Sequence, residues 1–345
     1  MKKTYNLVTK TKYGKMKNIK MKIHFLILSL CVVISANAYT PPNEYKTIFE
    51  DKTVCYRNLR YGVIPDAIPD STSDRLLDLY IPETTEKQQP LPIYFFVHGG
   101  GFAGGSKEAQ LALFQKIANA GYAVVSINYR LMLKYNNPDK VRCSTYTQNG
   151  PGKRKFADGL NLAINSAVED AQLALQWIHA NAGKYRLDTN RLAVSGGSAG
   201  GITVLYLAFD SNQTVPPIKA VVNFWGALED VSVIKTGKTL PAVLTYHGDI
   251  DNLIHVNFAE VLHKRLQETG DTMSILKIME LIKKFTPFQK NTADLLLALP
   301  PRYYLWGAGK ETEATLVFRV QDRRVFLPPD LLSACTAMST RDDPA

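Results

Sequence analysis

Between residues 77 and 279 short apolar runs alternate with stretches of helical periodicity. Residues 77–81 predict a strand, and 92–97, reading PIYFFV, form a continuous apolar run of the kind buried on both faces of a sheet. A helix over 109–120 and a strand over 122–128 follow. A second helix is expected over 167–182, where Ala171, Leu175, Ile178 and Ala182 share one face. Then come a strand at 191–194, a helix from about Ala199, strands at 220–224 and 242–246, a helix over 257–268 and a strand at 274–279. Strands alternating with helices in this way imply an α/β fold, a mostly parallel sheet with helices on both faces.

Two stretches break the rhythm. Residues 131–160 are polar, contain Gly and Pro and are rich in Tyr and Asn. That composition suits a loop excursion over the carboxyl edge of the sheet, where such folds keep substrate-binding segments. Beyond about Leu281 the periodicity weakens, so 39–281 reads as the folded domain and 282–345 as an atypical tail.

At 345 residues and 46% hydrophobic the chain has ample material for a core, which excludes disordered and collagen-like classes. The net charge of +10 suggests a polyanion or a membrane surface only until it is located. Residues 1–38 hold eight lysines and no acid, and the remainder has 33 basic against 31 acidic side chains. Nucleic-acid binding, which needs a basic stripe on the folded domain, loses its support. The lysines run into the apolar stretch 25–34 and the small-residue site Ala36-Asn37-Ala38, so 1–38 predicts a cleaved secretory signal peptide, with Met16 and Met21 as alternative starts. The apolar run falls short of the ~20 residues of a membrane span, and an uncleaved anchor is the alternative. After cleavage no membrane association is expected, and the localisation is secreted or periplasmic. Export favours cysteine pairs. A bridge between Cys55 and Cys143 is expected, with unpaired buried thiols as the alternative.

The chemistry concentrates at two glycine turns. Gly196-Gly197-Ser198-Ala199-Gly200 follows one strand and opens a helix, the context in which G-x-S-x-G is a nucleophile elbow carrying its serine above the sheet. The helix adds a positive dipole end that favours a developing oxyanion. About a hundred residues earlier another buried strand runs into His98-Gly99-Gly100-Gly101-Phe102, so Gly100 and Gly101 with the Ala199 amide form a candidate oxyanion hole. A dinucleotide site is excluded because neither loop pairs a G-x-G-x-x-G spacing with a following ribose-binding acid. Further along, Tyr246-His247-Gly248-Asp249-Ile250-Asp251 supplies an acid after a later strand. Asp251 is preferred for holding a histidine in its correct tautomer. Asp249 is the competitor, expected to stabilise the loop through backbone hydrogen bonds.

These segments, together with Val168-Glu169-Asp170-Ala171 through Trp177, resemble the α/β-hydrolase esterases, spanning hormone-sensitive-lipase-like carboxylesterases and exported feruloyl or acetyl-xylan esterases. The resemblance covers about residues 70–281. It implies Ser198 as nucleophile, Asp251 as triad acid, Gly100, Gly101 and Ala199 as oxyanion donors, no metal or organic cofactor, and a small-molecule or polysaccharide-linked ester substrate. A serine peptidase of the same fold would ordinarily need a gating domain, and no segment here is large enough.

The pattern fails at the base. The histidines are His24, His98, His179, His247, His255 and His263, and none follows His263. Where the family carries its histidine, after the last core strand, this chain reads Glu280-Leu281-Ile282-Lys283-Lys284-Phe285, and a later Gly307-Ala308-Gly309-Lys310 ends in lysine. Three explanations stand: a tail foreign to the fold, for example through a reading-frame change; a catalytically silent binding protein on a hydrolase scaffold; or a different base, His255, Lys283 or Lys310. His98 and His247 are expected to brace loops, and His179 and His263 to sit on helix surfaces.

Overall fold

The computed structural model describes residues 39–279, apart from 67–69, 84–88, 144–145, 149–153, 214, 238, 252 and 271–273, together with the short strands 302–304, 317–320 and 323–326. The chain divides into Met1–Thr40 and Pro41–Ala345. The expected signal peptide, the expected base segment and the third cysteine of the segment after residue 38, Cys335, lie outside the described residues.

The elements in chain order are β1 (Tyr45–Ile48), β2 (Thr53–Arg60), β3 (Leu76–Pro82), β4 (Leu91–Val97), α1 (Leu111–Asn119), β5 (Ala123–Ile127), α2 (Met132–Tyr135), β6 (Tyr146–Gln148), β7 (Arg154–Phe156), α3 (Asp158–Ala180) and α4 (Ala182–Tyr185). They continue with β8 (Leu187–Gly197), α5 (Ala199–Phe209), β9 (Ile218–Phe224), β10 (Ala242–Gly248), α6 (Asn257–Thr269), β11 (Ser274–Met279) and β12 (Arg302–Tyr304). A ten-stranded sheet runs β1-β2-β3-β5-β4-β8-β9-β10-β11-β12. The six strands from β5 to β11 in that order are parallel, whereas β1, β2, β3 and β12 join antiparallel. This is the α/β-hydrolase sheet.

The period-2 alternation of the central strands divides the core between two faces. Ile93, Phe95 and Val97 of β4 face the cluster that includes α3, α5 and α6, while Tyr94 and Phe96 face the cluster built on α1. β5 repeats this with Val125 and Ile127 on one side and Val124 on the other. The same division removes the expected disulfide. Cys55 is buried in the α1 cluster and Cys143 packs on the opposite cluster, so both thiols are free.

The core strands and helices lie where periodicity predicts them, with three differences. α3 starts at Asp158, well before residue 167, because Leu160, Ala163 and Ile164 continue its buried face. The excursion therefore ends at Ala157 and contains α2 and the β6–β7 hairpin. β1 and β2 extend the sheet without an apolar signal, since β1 is exposed along most of its length. His263 is buried, in hydrogen-bond contact with Ser274 Oγ, which corrects the surface position expected for it. His179 is exposed, as expected.

Buried charge ties the excursion to the sheet. Asp170 on α3 is fully buried and accepts from Arg75 Nε at 2.8 Å and from Arg130 N and Nε at 2.8 and 3.0 Å. A second ion pair joins Lys107, also buried, to Asp78 at 2.9 Å. Lys107 N–H donates to Asn128 Oδ1 and its carbonyl accepts from Ser126 Oγ, which anchors the far end of the His98 loop.

Candidate active site

In the parallel pairing of β4 with β8, Val97 stands opposite Gly196, so the two glycine turns leave the sheet side by side. Their approach is close. A Cβ built on Gly99 would stand 2.8 Å from the Gly197 carbonyl oxygen and 3.5 Å from Ser198 Cβ. Ser198 itself has φ +54° at the cap of α5 and is partly exposed. A non-glycine residue in this left-handed region costs roughly 1–3 kcal/mol and persists only where its surroundings over-determine it. Here Ser198 N–H donates to the Phe224 carbonyl at 2.9 Å, and the Ser198 carbonyl accepts the first helical bond from Ile202 N–H.

Three amides belong to these two turns. Ala199 opens α5, and amides of a first helical turn have no acceptor within the helix. Gly100 has φ +112°, and its carbonyl accepts from Ala103 and Gly104 N–H. In a planar trans peptide the N–H points opposite to the C=O, so the Gly101 amide faces away from that turn. The Gly99 carbonyl is bonded by His98 Nδ1 at 2.7 Å, which turns the Gly100 amide away from the His98 ring.

The histidine is fixed for that task. His98 is buried, stacked on Tyr129 with centroids 4.5 Å apart, and burial pushes its pKa down to about 4. The neutral ring must carry its hydrogen on Nδ1, because the Gly99 carbonyl can only accept. Tyr129 in turn donates its hydroxyl to the His98 carbonyl at 3.0 Å.

The acid loop is organised separately. Asp251 Oδ1 accepts from Leu253 and Ile254 N–H at 2.8 and 2.9 Å. Loop stabilisation of this kind was expected of Asp249, which is exposed. Asp251 Oδ2 lies 3.8 Å from His247 Nε2, which donates to the Ile254 carbonyl at 2.6 Å. His247 is buried, and desolvation lowers its pKa. His255 is exposed, its Nδ1 accepting from Asn257 N–H. Among the described residues no hydrogen bond joins Asp251 or a histidine to Ser198. The structure thus brings the turn at Gly99 against Ser198, next to Ala199 at the start of α5, and keeps Asp251 two strands away, on the loop after β10.

One neighbour escaped the sequence. Trp225, just after β9, has φ +44° and places its indole against Gly197. Its only sequence signal was its place at the end of a buried strand.

The family described as BD-FAE matches this chain over residues 77–143 and 161–236, which span both glycine turns. The medium-chain fatty acyl-CoA hydrolase precursor of Anas platyrhynchos is 33% identical over 132 residues, 37% of this chain and 20% of that protein. Secreted lipase 5 of Gibberella zeae is 28% identical over 246 residues, 64% of this chain and 43% of that protein. The fold is that of the α/β-hydrolases, and the sequence matches are to esterases and lipases. The α/β-hydrolase chain here spans less than half the length of those curated relatives. Among solved structures, esterase 2 of Thermogutta terrifontis aligns with a TM-score of 0.48 at 17% identity, covering 74% of this chain and 89% of that one. Among the described residues no helix is long and apolar enough to cross a membrane.

Proposed function

We propose that the chain is an exported carboxylic-ester hydrolase scaffold in which Ser198 is the nucleophile, Gly100, Gly101 and Ala199 receive the oxyanion, Asp251 is the triad acid, and turnover is feeble for want of a histidine base. The supporting observation is the close approach of the Gly99 turn to the partly exposed Ser198, in a turn whose Gly101 amide faces away from its own loop. Attack by Ser198 Oγ on an ester carbonyl turns that oxygen into an anion, and preorganised N–H donors lower the energy of that anion most in the transition state. The C–O bond to the alcohol then breaks, the alcohol leaving with the proton lost by Ser198 and an acyl-serine remaining; attack by water on that ester releases the carboxylic acid and restores the hydroxyl.

The proton of Ser198 is the weak point. No histidine follows His263 in the sequence, and a serine hydroxyl without a base is a poor nucleophile near neutral pH. Loss of one triad member leaves roughly 10³–10⁴-fold catalysis over water from the oxyanion hole and binding. The substrate class proposed is a small or polysaccharide-linked ester. Export rests on the basic, apolar and small-residue pattern of residues 1–38.

A second reading, a catalytically silent binding protein on the same scaffold, is favoured by one observation. His98, His247 and His263 are committed to Gly99, Ile254 and Ser274. Turnover of p-nitrophenyl acetate by the purified chain, set beside Ser198→Ala, separates the two. The hydrolase reading expects slow turnover above the variant's and fluorophosphonate labelling that disappears with Ser198. Indistinguishable rates and labelling would leave the silent scaffold.

A further inference from the structure

The segment from His98 to Lys107 joins the end of β4 to the approach of α1 and contains the Gly100 and Gly101 amides. Both of its ends are tied to residues at the close of β5. The His98 carbonyl accepts from the Tyr129 hydroxyl at 3.0 Å. The Lys107 N–H donates to Asn128 Oδ1 at 2.6 Å, and the Lys107 carbonyl accepts from Ser126 Oγ at 2.8 Å. Between these ends the segment is packed on itself. A Cβ on Gly100 would stand 2.1 Å from the Gly104 carbonyl oxygen, and one on Gly105 would stand 2.4 Å from His98 Nδ1. Close packing transmits displacement, so a shift at Lys107 has no slack to disappear into before it reaches Gly100.

The side chain of Lys107 adds a tie to another strand. It is 2% exposed and meets the fully buried Asp78 of β3 at 2.9 Å, with the exposed Glu108 as a second partner. Asp78 is already satisfied without it, accepting from Arg57 Nη1 at 2.8 Å, Asn58 N–H at 2.9 Å and the Tyr80 hydroxyl at 3.3 Å. A buried ion pair is often no more stable than apolar residues of similar volume. Methionine would fill the same space without taking a charge out of water, so stability alone does not call for lysine. What the ammonium supplies is a directed bond that fastens the segment across β5 to β3, on the side away from β4.

We propose that Lys107 is a positioning residue: its pairing with Asp78 fixes the far end of this segment and so sets where the Gly100 and Gly101 amides stand against Ser198. The part those amides play rests on the hydrolase reading above; the coupling of Lys107 to the turn does not.

Hydrogen–deuterium exchange and fluorophosphonate labelling of the full chain read the coupling and its consequence separately. In Lys107→Met, exchange of peptides covering residues 98–105 should rise roughly tenfold, while peptides from β9 and β10 keep the parent's rate. The covalent step of Ser198 labelling should slow roughly tenfold with the reversible affinity for the probe unchanged, since an oxyanion donor is displaced and not removed. Lys107→Arg keeps a cation for Asp78 and should recover most of both. Unchanged exchange at 98–105, or a rise spread over the whole chain, overturns the proposal, as does an unaltered covalent step. Ser126→Ala frees the Lys107 carbonyl by a milder change. Where Lys107→Met does not fold, failure of 98–105 to exchange faster in Ser126→Ala overturns the proposal. Absent labelling of the parent is failure of the hydrolase reading, and exchange alone then decides.

Discussion

Gly200 lies directly beneath Val97: a Cβ on Gly200 would stand 2.0 Å from the Val97 carbonyl oxygen and 2.8 Å from that of His98. The opening turn of α5 is thereby pressed against the end of β4, and the spacing of the serine and oxyanion turns depends on the missing side chain. Gly200→Ala must push two backbones apart, an overpacking that costs about 1–3 kcal/mol or more. The expected outcome is a lower urea midpoint together with lost fluorophosphonate labelling. Gly101→Ala meets no atom within 4 Å but has φ +65°, so it should cost only about 1–2 kcal/mol, through backbone strain.

Ser198 stores strain of the same origin. Ser198→Gly relaxes the left-handed backbone and should raise stability by about 1 kcal/mol, while Ser198→Ala keeps the strain and leaves stability nearly unchanged. Both variants lose labelling. Paired urea titrations measure the difference, and equal midpoints for the two variants would show an unstrained elbow.

Acid should destabilise the fold through its buried histidines. Burial holds both His98 and His263 at about 4, against 6.5 for an exposed ring. As pH falls below 6.5 the unfolded chain takes up these protons first, so stability that is complete above 6.5 is lost progressively down to about 4. The loss is on the order of 3 kcal/mol per histidine. Urea midpoints between pH 7 and 4.5 should fall, with a shallower slope in His263→Gln.

Asp170 joins Arg75 and Arg130 in a buried cluster, and removal of one partner from such a cluster leaves uncompensated charge. Asp170→Ala should cost about 3–5 kcal/mol. The measurement is thermal unfolding, and a change below 1 kcal/mol would show that the arginines find other partners.

Cys55 and Cys143 lie on opposite faces of the sheet, and burial pushes each thiol up to about 12. Neither should react rapidly in the folded state. Alkylation in denaturant without reductant, followed by peptide mapping, should find both labelled.

The parts of the site that sequence revealed are those whose chemistry is local. A serine between glycines at a strand end, a glycine run at another strand end, and an acid after a third need only neighbours in the chain to be recognised. His263 and the Cys55–Cys143 pair failed for the complementary reason. Whether a helix position faces solvent or the hydroxyl of Ser274, and which sheet face receives a thiol, depends on elements far away in sequence. The start of α3 was obscured by Gly159 and Asn161, which interrupt a helical pattern that tertiary burial of Leu160 and Ile164 restores.

By itself the sequence determined the alternation of strands and helices, the two glycine turns, and the lack of a histidine after His263, because hydrophobic period and backbone freedom are properties of short segments. Only the tertiary structure decided that Gly99 meets Ser198, that His98 bonds the Gly99 carbonyl, and that the Trp225 indole packs against Gly197. Those relations follow from strand order, and strand order is set by the burial of both sheet faces at once.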